Sequence, residues 1–335
     1  MPKAVALYSG GLDSVLSVLI MQRLGVETLP VMFITDFGCS ASRRSGGAGA
    51  GGNALPGGLT VERHYIGEAF LELVKNPKFG HGKNMNPCVD CKALMLREAK
   101  RLMLERGADF LVTGEVLGQR PMSQRRDIFP VIEREADVAG LVVRPLCAKL
   151  LKPTIPEQRG LISRGDLYGI SGRTRKPQME LAAAFGLTEY AQPAGGCVLT
   201  DPTFSSRLRD LLKGNPNPSM RAVKLLRVGR HFRGADGRLI IVGRDERDNR
   251  ELECLALHGD YSLRLALDMG SPLVLAEAET TEEGLSLAAR LCARYSPARD
   301  METVPVEITW EGGRRIMEVS PAAEAEVEGA RIHLA

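Results

Sequence analysis

The sequence predicts an α/β protein: a parallel β-sheet with helices on both faces, followed by a smaller α+β region at the C-terminus. Two observations carry this expectation. Through the first half of the chain, short apolar runs of strand length alternate with longer runs of helical period, the pattern of parallel strands joined by crossover helices. Around residues 192–202 (QPAGGCVLTDP) the alternation stops and Pro and Gly punctuate the chain. At 335 residues the chain is long enough for two or three domains of roughly 100–150 residues each. We divide it into residues 1–190, a basic α+β module at 191–275 and a small α/β region at 276–335.

The elements follow in order. Residues 3–8 read as a buried strand, 13–24 as a helix closed by Gly25, and 27–35 as a second strand, a βαβ opening. Residues 43–58 (RRSGGAGAGGNALPGG) are too rich in Gly for a core element and read as an inserted loop, after which 59–66 resume an extended pattern. Residues 84–91 form a loop entering a helix at 92–106, ended by Gly107. A strand at 109–113 (DFLVT) then runs into Gly114. A further strand at 142–146 and a helix at 179–186 complete the first region. Beyond it, 203–212 and 219–228 read as helices, 238–243 and 272–277 as strands, 282–295 as a helix, and 304–335 as a small β region.

Composition excludes several classes. A hydrophobic fraction of 44% and a charged fraction of 25% are those of an ordinary globular protein. No apolar run reaches the roughly 20 residues needed to span a bilayer, and Met1-Pro2-Lys3-Ala4 is not a signal-peptide start, so a cytoplasmic protein is expected. Net charge is only +3, but it is unevenly spread: eight Lys/Arg against two acids in residues 144–176, eight against Asp210 alone in 205–233, and eight acids against three arginines in 277–311. The two basic segments are available to phosphates, and the acidic one is expected to face solvent. Seven cysteines, an odd number, argue against a disulfide framework in such a compartment.

The chemistry begins at the first strand–helix junction, Ser9-Gly10-Gly11-Leu12-Asp13-Ser14. A helix N-terminus presents unpaired amides and the positive end of its dipole, and two glycines let the backbone approach a phosphate closely. Ser9 and Ser14 add hydroxyl donors, and Asp13 can cap the helix or lie near a metal-bound pyrophosphate. No Gly-Lys-Ser/Thr follows and the third glycine of the dinucleotide fingerprint is missing. SGGLDS directly after KAVALY resembles instead the signature of the PP-loop ATP pyrophosphatases, whose fold is adenine nucleotide α-hydrolase-like. The resemblance implies binding of ATP with Mg2+ at Ser9 to Ser14, adenylation of a substrate and release of pyrophosphate. It also places Met32, Phe33 and Ile34, at the end of the second strand, beside the adenine.

Three further strings are similar to tRNA thiolases of that superfamily. Residues 86–95 (NPCVDCKALM) resemble the Asn-Pro-Cys-x-x-Cys stretch of 2-thiouridine synthetases. Residues 113–124 (TGEVLGQRPMSQ) look like the segment that follows a late strand in 4-thiouridine synthetases, which puts Thr113, Gly114 and Gln119 with the nucleotide. Residues 192–212 place Cys197 between a Gly-Gly turn and a basic helix. Thiolation needs a nucleophilic sulfur beside an activated carbonyl carbon; thiolate is the reactive form, and the helix start at Cys91 is expected to lower its pKa. Cys88, Cys91 and Cys197 would either pass sulfur as a persulfide resolved by a second cysteine or hold a [4Fe–4S] cluster with one open iron, the design their number favours. A zinc site would need a fourth ligand, for which only His81 is near in sequence. Cys39, Cys147, Cys254 and Cys292 read as packing residues, with Cys39 close enough to the second strand to face the site.

The implied partners are tRNA and a sulfur donor, either a cysteine desulfurase or inorganic sulfide, with no membrane. In the 4-thiouridine family a separate RNA-binding module precedes the PP-loop domain; with the loop at residue 9, that module is expected to be missing here. Residues 229–252 resemble the nucleic-acid-associated module of fibronectin-binding-like and ribosome quality-control proteins. There Arg230, His231, Arg233, Arg238, Arg244 and Arg247 are expected to form a cationic surface for RNA phosphates. The competing expectations are another PP-loop enzyme, amide-forming or moving sulfur to a small molecule, and a non-catalytic ATP- and RNA-binding protein.

Overall fold

The computed structural model describes residues 1–38, 60–188, 190 and 197–332. The Gly-rich stretch, Cys39 and the Gly-Gly turn before Cys197 lie outside them. The chain splits into two compact units, Met1–Asp201 and Pro202–Ala335.

In the N-terminal unit β1 (Lys3–Leu7), β2 (Glu27–Ile34), β3 (Glu62–Tyr65), β4 (Phe110–Thr113) and β5 (Val142–Val143) form one sheet in the order β3-β2-β1-β4-β5. All pairings are parallel, with Leu7 opposite Val31 on one side and Thr113 on the other. Helices α1 (Leu12–Arg23), α2 (Gly67–Lys75), α3 (Cys88–Glu105), α4 (Phe129–Glu135), α5 (Ile155–Gln158) and α6 (Lys176–Ala184) connect or follow the strands. Strand alternation divides the core. Ala4 and Ala6 pack with Leu12, Leu16 and Ile20 of α1 and Leu181 of α6, while Val5 and Val31 pack with Val89, Ala93 and Leu96 of α3. Both faces of the sheet are therefore covered, which is why its central strands read as unbroken apolar runs. Helix α1 stops where Gly25 turns the chain at φ +73°.

The strand order reverses between β1 and β4. In open α/β sheets the crevice beyond the carboxyl ends of such strands is where ligands bind, and here it receives Ser9–Ser14 after β1 and Gly114–Gln119 after β4.

The C-terminal unit is one antiparallel sheet in the order β11-β10-β8-β9-β7-β6, built from β6 (Arg230–Arg233), β7 (Leu239–Val242), β8 (Tyr261–Leu265), β9 (Val274–Ala276), β10 (Val304–Trp310) and β11 (Gly313–Val319). Helices α7 (Pro202–Gly214), α8 (Met220–Leu225), α9 (Glu246–Leu255), α10 (Glu282–Arg294) and α11 (Glu324–Ala330) complete it. Thr281 caps α10 by accepting from Gly284 N. Leu285, Ala288, Ala289 and Cys292 of α10 are buried against Leu263, Val274 and Val306 of the sheet.

This corrects the division at residues 275 and 276: that boundary cuts through β9, and β10 pairs with β8 from before it (Val306 opposite Leu265). The other division lies at 201/202 rather than 190/191. The acidic stretch faces solvent through Glu279, Glu282, Glu283, Asp300 and Glu302, as expected, while α10 within it buries an apolar stripe on the sheet. The expected 219–228 helix is shorter, Met220–Leu225, and α3 starts four residues before its expected position, at Cys88. Among the described residues no helix is long and apolar enough to cross a membrane.

Candidate active site

Gly10 adopts φ +77°, a left-handed conformation that a side chain would strain. Gly11 is the N-cap of α1, with no side-chain cap hydrogen bond. The hydroxyls expected to reach phosphate are turned onto the loop itself: Ser14 Oγ donates to Gly11 O at 2.7 Å and accepts from Ser9 N at 3.2 Å. Asp13 does not cap the helix. Its Oδ2 accepts from Gln119 Nε2 at 3.0 Å, and its Oδ1 is buried without a partner among the described residues. A buried carboxylate oxygen left bare is costly, and this one lies in the first turn of α1.

Gly114 fixes how closely the two loops meet. A Cβ built there would lie 2.7 Å from the Asp13 carbonyl and from Ser14 N, so β4 runs directly onto the first turn of α1. Thr113 Oγ1 donates to Glu115 Oε2 at 3.2 Å. Glu115 and Arg144, 4% and 3% exposed, pair at 3.1 Å, and Arg144 also pairs with Glu133 at 2.5 Å and stacks over Phe129. Lys92 Nζ lies 3.7 Å from the other Glu115 oxygen. Burial opposes the charge on Glu115, but Lys92 and Arg144 outweigh it and hold the carboxyl below its usual range. Sequence reasoning missed this network; the signals were an acid directly after the strand-ending Thr113-Gly114 and an arginine ending a strand. At the end of β2, Met32 and Phe33 are half-buried and Ile34 exposed, so the strand leaves this edge accessible.

The cysteines converge. Cys88 opens α3 and accepts from Asn86 Nδ2 at 2.9 Å. Cys197 is carried to the same loop: Met85 N donates to Leu199 O at 3.1 Å, and Asn84 Nδ2 to Thr200 O at 2.8 Å. Cys197 Sγ donates to Phe37 O, beyond β2, at 3.6 Å. The Cys91 thiol feels both other thiols. Its expected low pKa is not found: burial pushes it up to about 12, Cys197 and Cys88 add to the rise, and Lys92 and Arg120 only partly offset it. Desolvation outweighs the helix terminus.

Among the described residues no group of three or more His, Cys, Asp or Glu is arranged to hold a metal ion, and the His81 ring is occupied by Val74 O at 2.8 Å. Cys147 and Cys292 are buried packing residues, but Cys254 is exposed, which corrects its reading.

The cationic surface expected on the β6–β7 hairpin is largely spent within its own unit. His231 is 3% exposed; its Nε2–H donates to Val228 O and Leu225 O, and burial drives it down to about 3, so the ring is neutral. Arg233 pairs with Asp210, Arg238 with Glu279 and Arg244 with Asp248, while Arg230 lies over the Tyr295 ring.

Residues 1–155 match the family model described as "Thiamine biosynthesis protein (ThiI)", and residues 229–330 match that of the "NFACT protein RNA binding domain". Residues 1–155 thus resemble a ThiI-type domain and residues 229–330 an NFACT-R-type domain. The loop of β1, the loop of β4 and the Cys88–Cys91 turn all fall inside the first match. A "Probable tRNA sulfurtransferase" of Thermococcus kodakarensis is 31% identical over 153 residues, covering 43% of this chain and 36% of that protein. One of Methanosarcina mazei with the same description is 32% identical over 127 residues, 35% of this chain and 29% of its own. The chain thus spans about a third of the length of these curated relatives. A solved 4-thiouridine synthetase–RNA complex with bound ATP aligns at 20% identity and a TM-score of 0.36, over 67% of this chain and 52% of that one. The C-terminal part of the fibronectin/fibrinogen-binding protein of Streptococcus suis aligns at 18% identity and a TM-score of 0.28, over 47% of this chain and 76% of that one.

Proposed function

We propose that the protein is an ATP-dependent tRNA sulfurtransferase. The observation that carries this reading is one short loop joining two chemistries: Gln119 holds the phosphate-loop carboxylate of Asp13, and the next residue, Arg120, acts on the Cys91 thiol. ATP lies with its phosphates against Gly10, Gly11 and the start of α1, and its adenine near Phe33. The bare Oδ1 of Asp13 suits Mg2+, which would neutralise the departing pyrophosphate.

A uridine carbonyl oxygen attacks the α-phosphorus, forming a C–O–P bond as the α–β bond breaks and pyrophosphate leaves. Sulfide-level sulfur then bonds to the activated carbon as the C–O bond breaks and AMP leaves with the original oxygen. Sulfur carried as a persulfide bonds to the carbon in the same way; a second of the three cysteines then breaks the S–S bond, forming a disulfide and freeing the thiouridine. Lys92 and Arg120 favour the charged form of Cys91, while the Glu115–Arg144 pair fixes the end of β4, from which the Gln119–Arg120 loop starts. The sulfur comes from a cysteine desulfurase or inorganic sulfide.

Cys88, Cys91 and Cys197 have the right donor chemistry for a [4Fe–4S] cluster. Burial and the two neighbouring thiols oppose ionisation of Cys91, and positive charge supplied among the three would favour it. When bound, the cluster would supply a thiophilic iron with an open position. Iron and sulfide bound by anaerobically purified protein, and lost in Cys91→Ser, test this part; wild-type protein without iron overturns it in favour of a persulfide.

The function as a whole is tested by mass spectrometry of tRNA nucleosides. In a deletion strain one thiouridine disappears, wild type restores it and Asp13→Ala does not. An unchanged thiouridine profile in the deletion strain overturns the reading.

A further inference from the structure

Helix α7 precedes the segment matched by the RNA-binding family model, yet it forms one wall of an open cavity of about 660 Å³ in the C-terminal unit. The opposite sides come from the β6–β7 turn, Leu287 of α10 and the chain after α11. Two cations on α7, Arg209 and Lys213, line it. Both are exposed, and neither has a hydrogen bond or ion pair among the described residues.

Many other arginines of this unit are spent: Arg221, Arg233, Arg238, Arg244, Arg264 and Arg290 each have a carboxylate partner. Two like charges four residues apart on a helix repel by a few tenths of a kcal/mol, a cost that an anion bound between them would reverse. Asp210, the acid between them in sequence, offers no such relief. It also lines the cavity, but both its oxygens accept from Arg233, another lining residue, at 2.5–3.1 Å, so the pair adds no net negative charge there. The half-buried Leu287 and Ile332 give the cavity an apolar side.

We propose that this cavity is a subsite for single-stranded RNA, with backbone phosphates on Arg209 and Lys213 and a base against Leu287 and Ile332. A cationic rim beside an apolar surface suits an unpaired nucleotide, which carries a phosphate at one end and a base face at the other. An acidic peptide would satisfy the rim but leave the apolar side without a partner. The inference rests on the reading of the protein as acting on RNA, and it extends the RNA surface to a helix outside the matched domain.

The test uses the full chain and fluorescein-labelled oligouridylate, with anisotropy measured across a salt series. Arg209→Ala/Lys213→Ala is expected to weaken binding on the order of tenfold and to lower the salt slope by about 1.4, two contacts of about 0.7 each for a single strand. Binding of ATP to the N-terminal unit should stay as in wild type. A double variant with wild-type affinity and slope overturns the subsite. Wild-type protein that binds poly-glutamate but not oligouridylate overturns it in favour of an acidic protein partner. Oligouridylate binding that depends on these residues, in a strain whose thiouridine profile never changes, leaves the subsite standing while the sulfurtransferase reading falls.

Discussion

The two units treat their charged residues in opposite ways. In the N-terminal unit, polar groups gather at the carboxyl ends of a parallel sheet and are left short of partners: Asp13 Oδ1 and Glu115 Oε1 are both buried without a hydrogen bond. In the C-terminal unit Arg233, Arg238 and Arg244 are matched by acids and Arg230 lies over the Tyr295 ring, while Arg209 and Lys213, on a helix ahead of the sheet, have no ion pair among the described residues. Charge alone therefore does not mark a site. A run of arginines reads as a binding face until the fold shows which carboxylates they meet.

The sharpest way to break this contrast is Asp13→Ala. It is expected to reduce ATP-dependent pyrophosphate release by about 10²–10³-fold, the scale of losing one preorganised charge-stabilising group, with oligouridylate binding unchanged. Equal losses in both assays would show that the units do not divide the work.

Next in size is Phe232→Ala. This fully buried ring of β6, 6.0 Å from Tyr295, should cost about 3–5 kcal/mol. Calorimetry should place the loss in the C-terminal unit, leaving nucleotide binding near wild type at low temperature. Gly114→Ala is expected to cost about 1–3 kcal/mol through overpacking and to weaken ATP binding at the same time, because the added methyl meets backbone of the phosphate loop. A variant that loses stability but not affinity would separate the two loops that the structure joins.

Acid separates the units most gently. His231 is neutral in the fold, its value depressed from 6.5 to about 3, so the unfolded chain takes up a proton that the folded one does not. Its contribution to stability is complete above pH 6.5 and drains away as the pH falls toward 3, by on the order of 1 kcal/mol per pH unit. Glu115, held below its ordinary value of 4.5, contributes above that value and loses its share only below it. Between pH 6.5 and 5 the C-terminal unit should therefore weaken while the N-terminal unit holds. Denaturation followed by hydrogen exchange in each unit measures this, and His231→Gln should flatten the C-terminal slope.

How much was legible in the sequence follows the same division. β1, β2 and β4 were readable because strands covered on both faces must be apolar throughout, and α1 because Gly25 ends it. β6 (RHFR) and α9 (ERDNRELECL) were not, since arginines flank the buried pair of the first and only a narrow stripe ending in Leu252 is buried in the second. The pairing of Arg238 with Glu279, 41 residues away, is decided by sheet topology, which no local pattern reports. The phosphate loop, Gln119 and the three cysteines were visible as motifs. What stayed hidden was electrostatic: whether Cys91 answers to its helix terminus or to its burial depends on atoms brought by other segments, and burial wins.

The contact at Gly114 has a further consequence. Because β4 meets α1 backbone to backbone at Gly114, the loop after β1 and the loop leading to Arg120 are packed directly together. Neither can be respaced without moving the other. On the proposed function, a change of substrate would therefore be written in the segments that lean on this contact rather than in the contact itself.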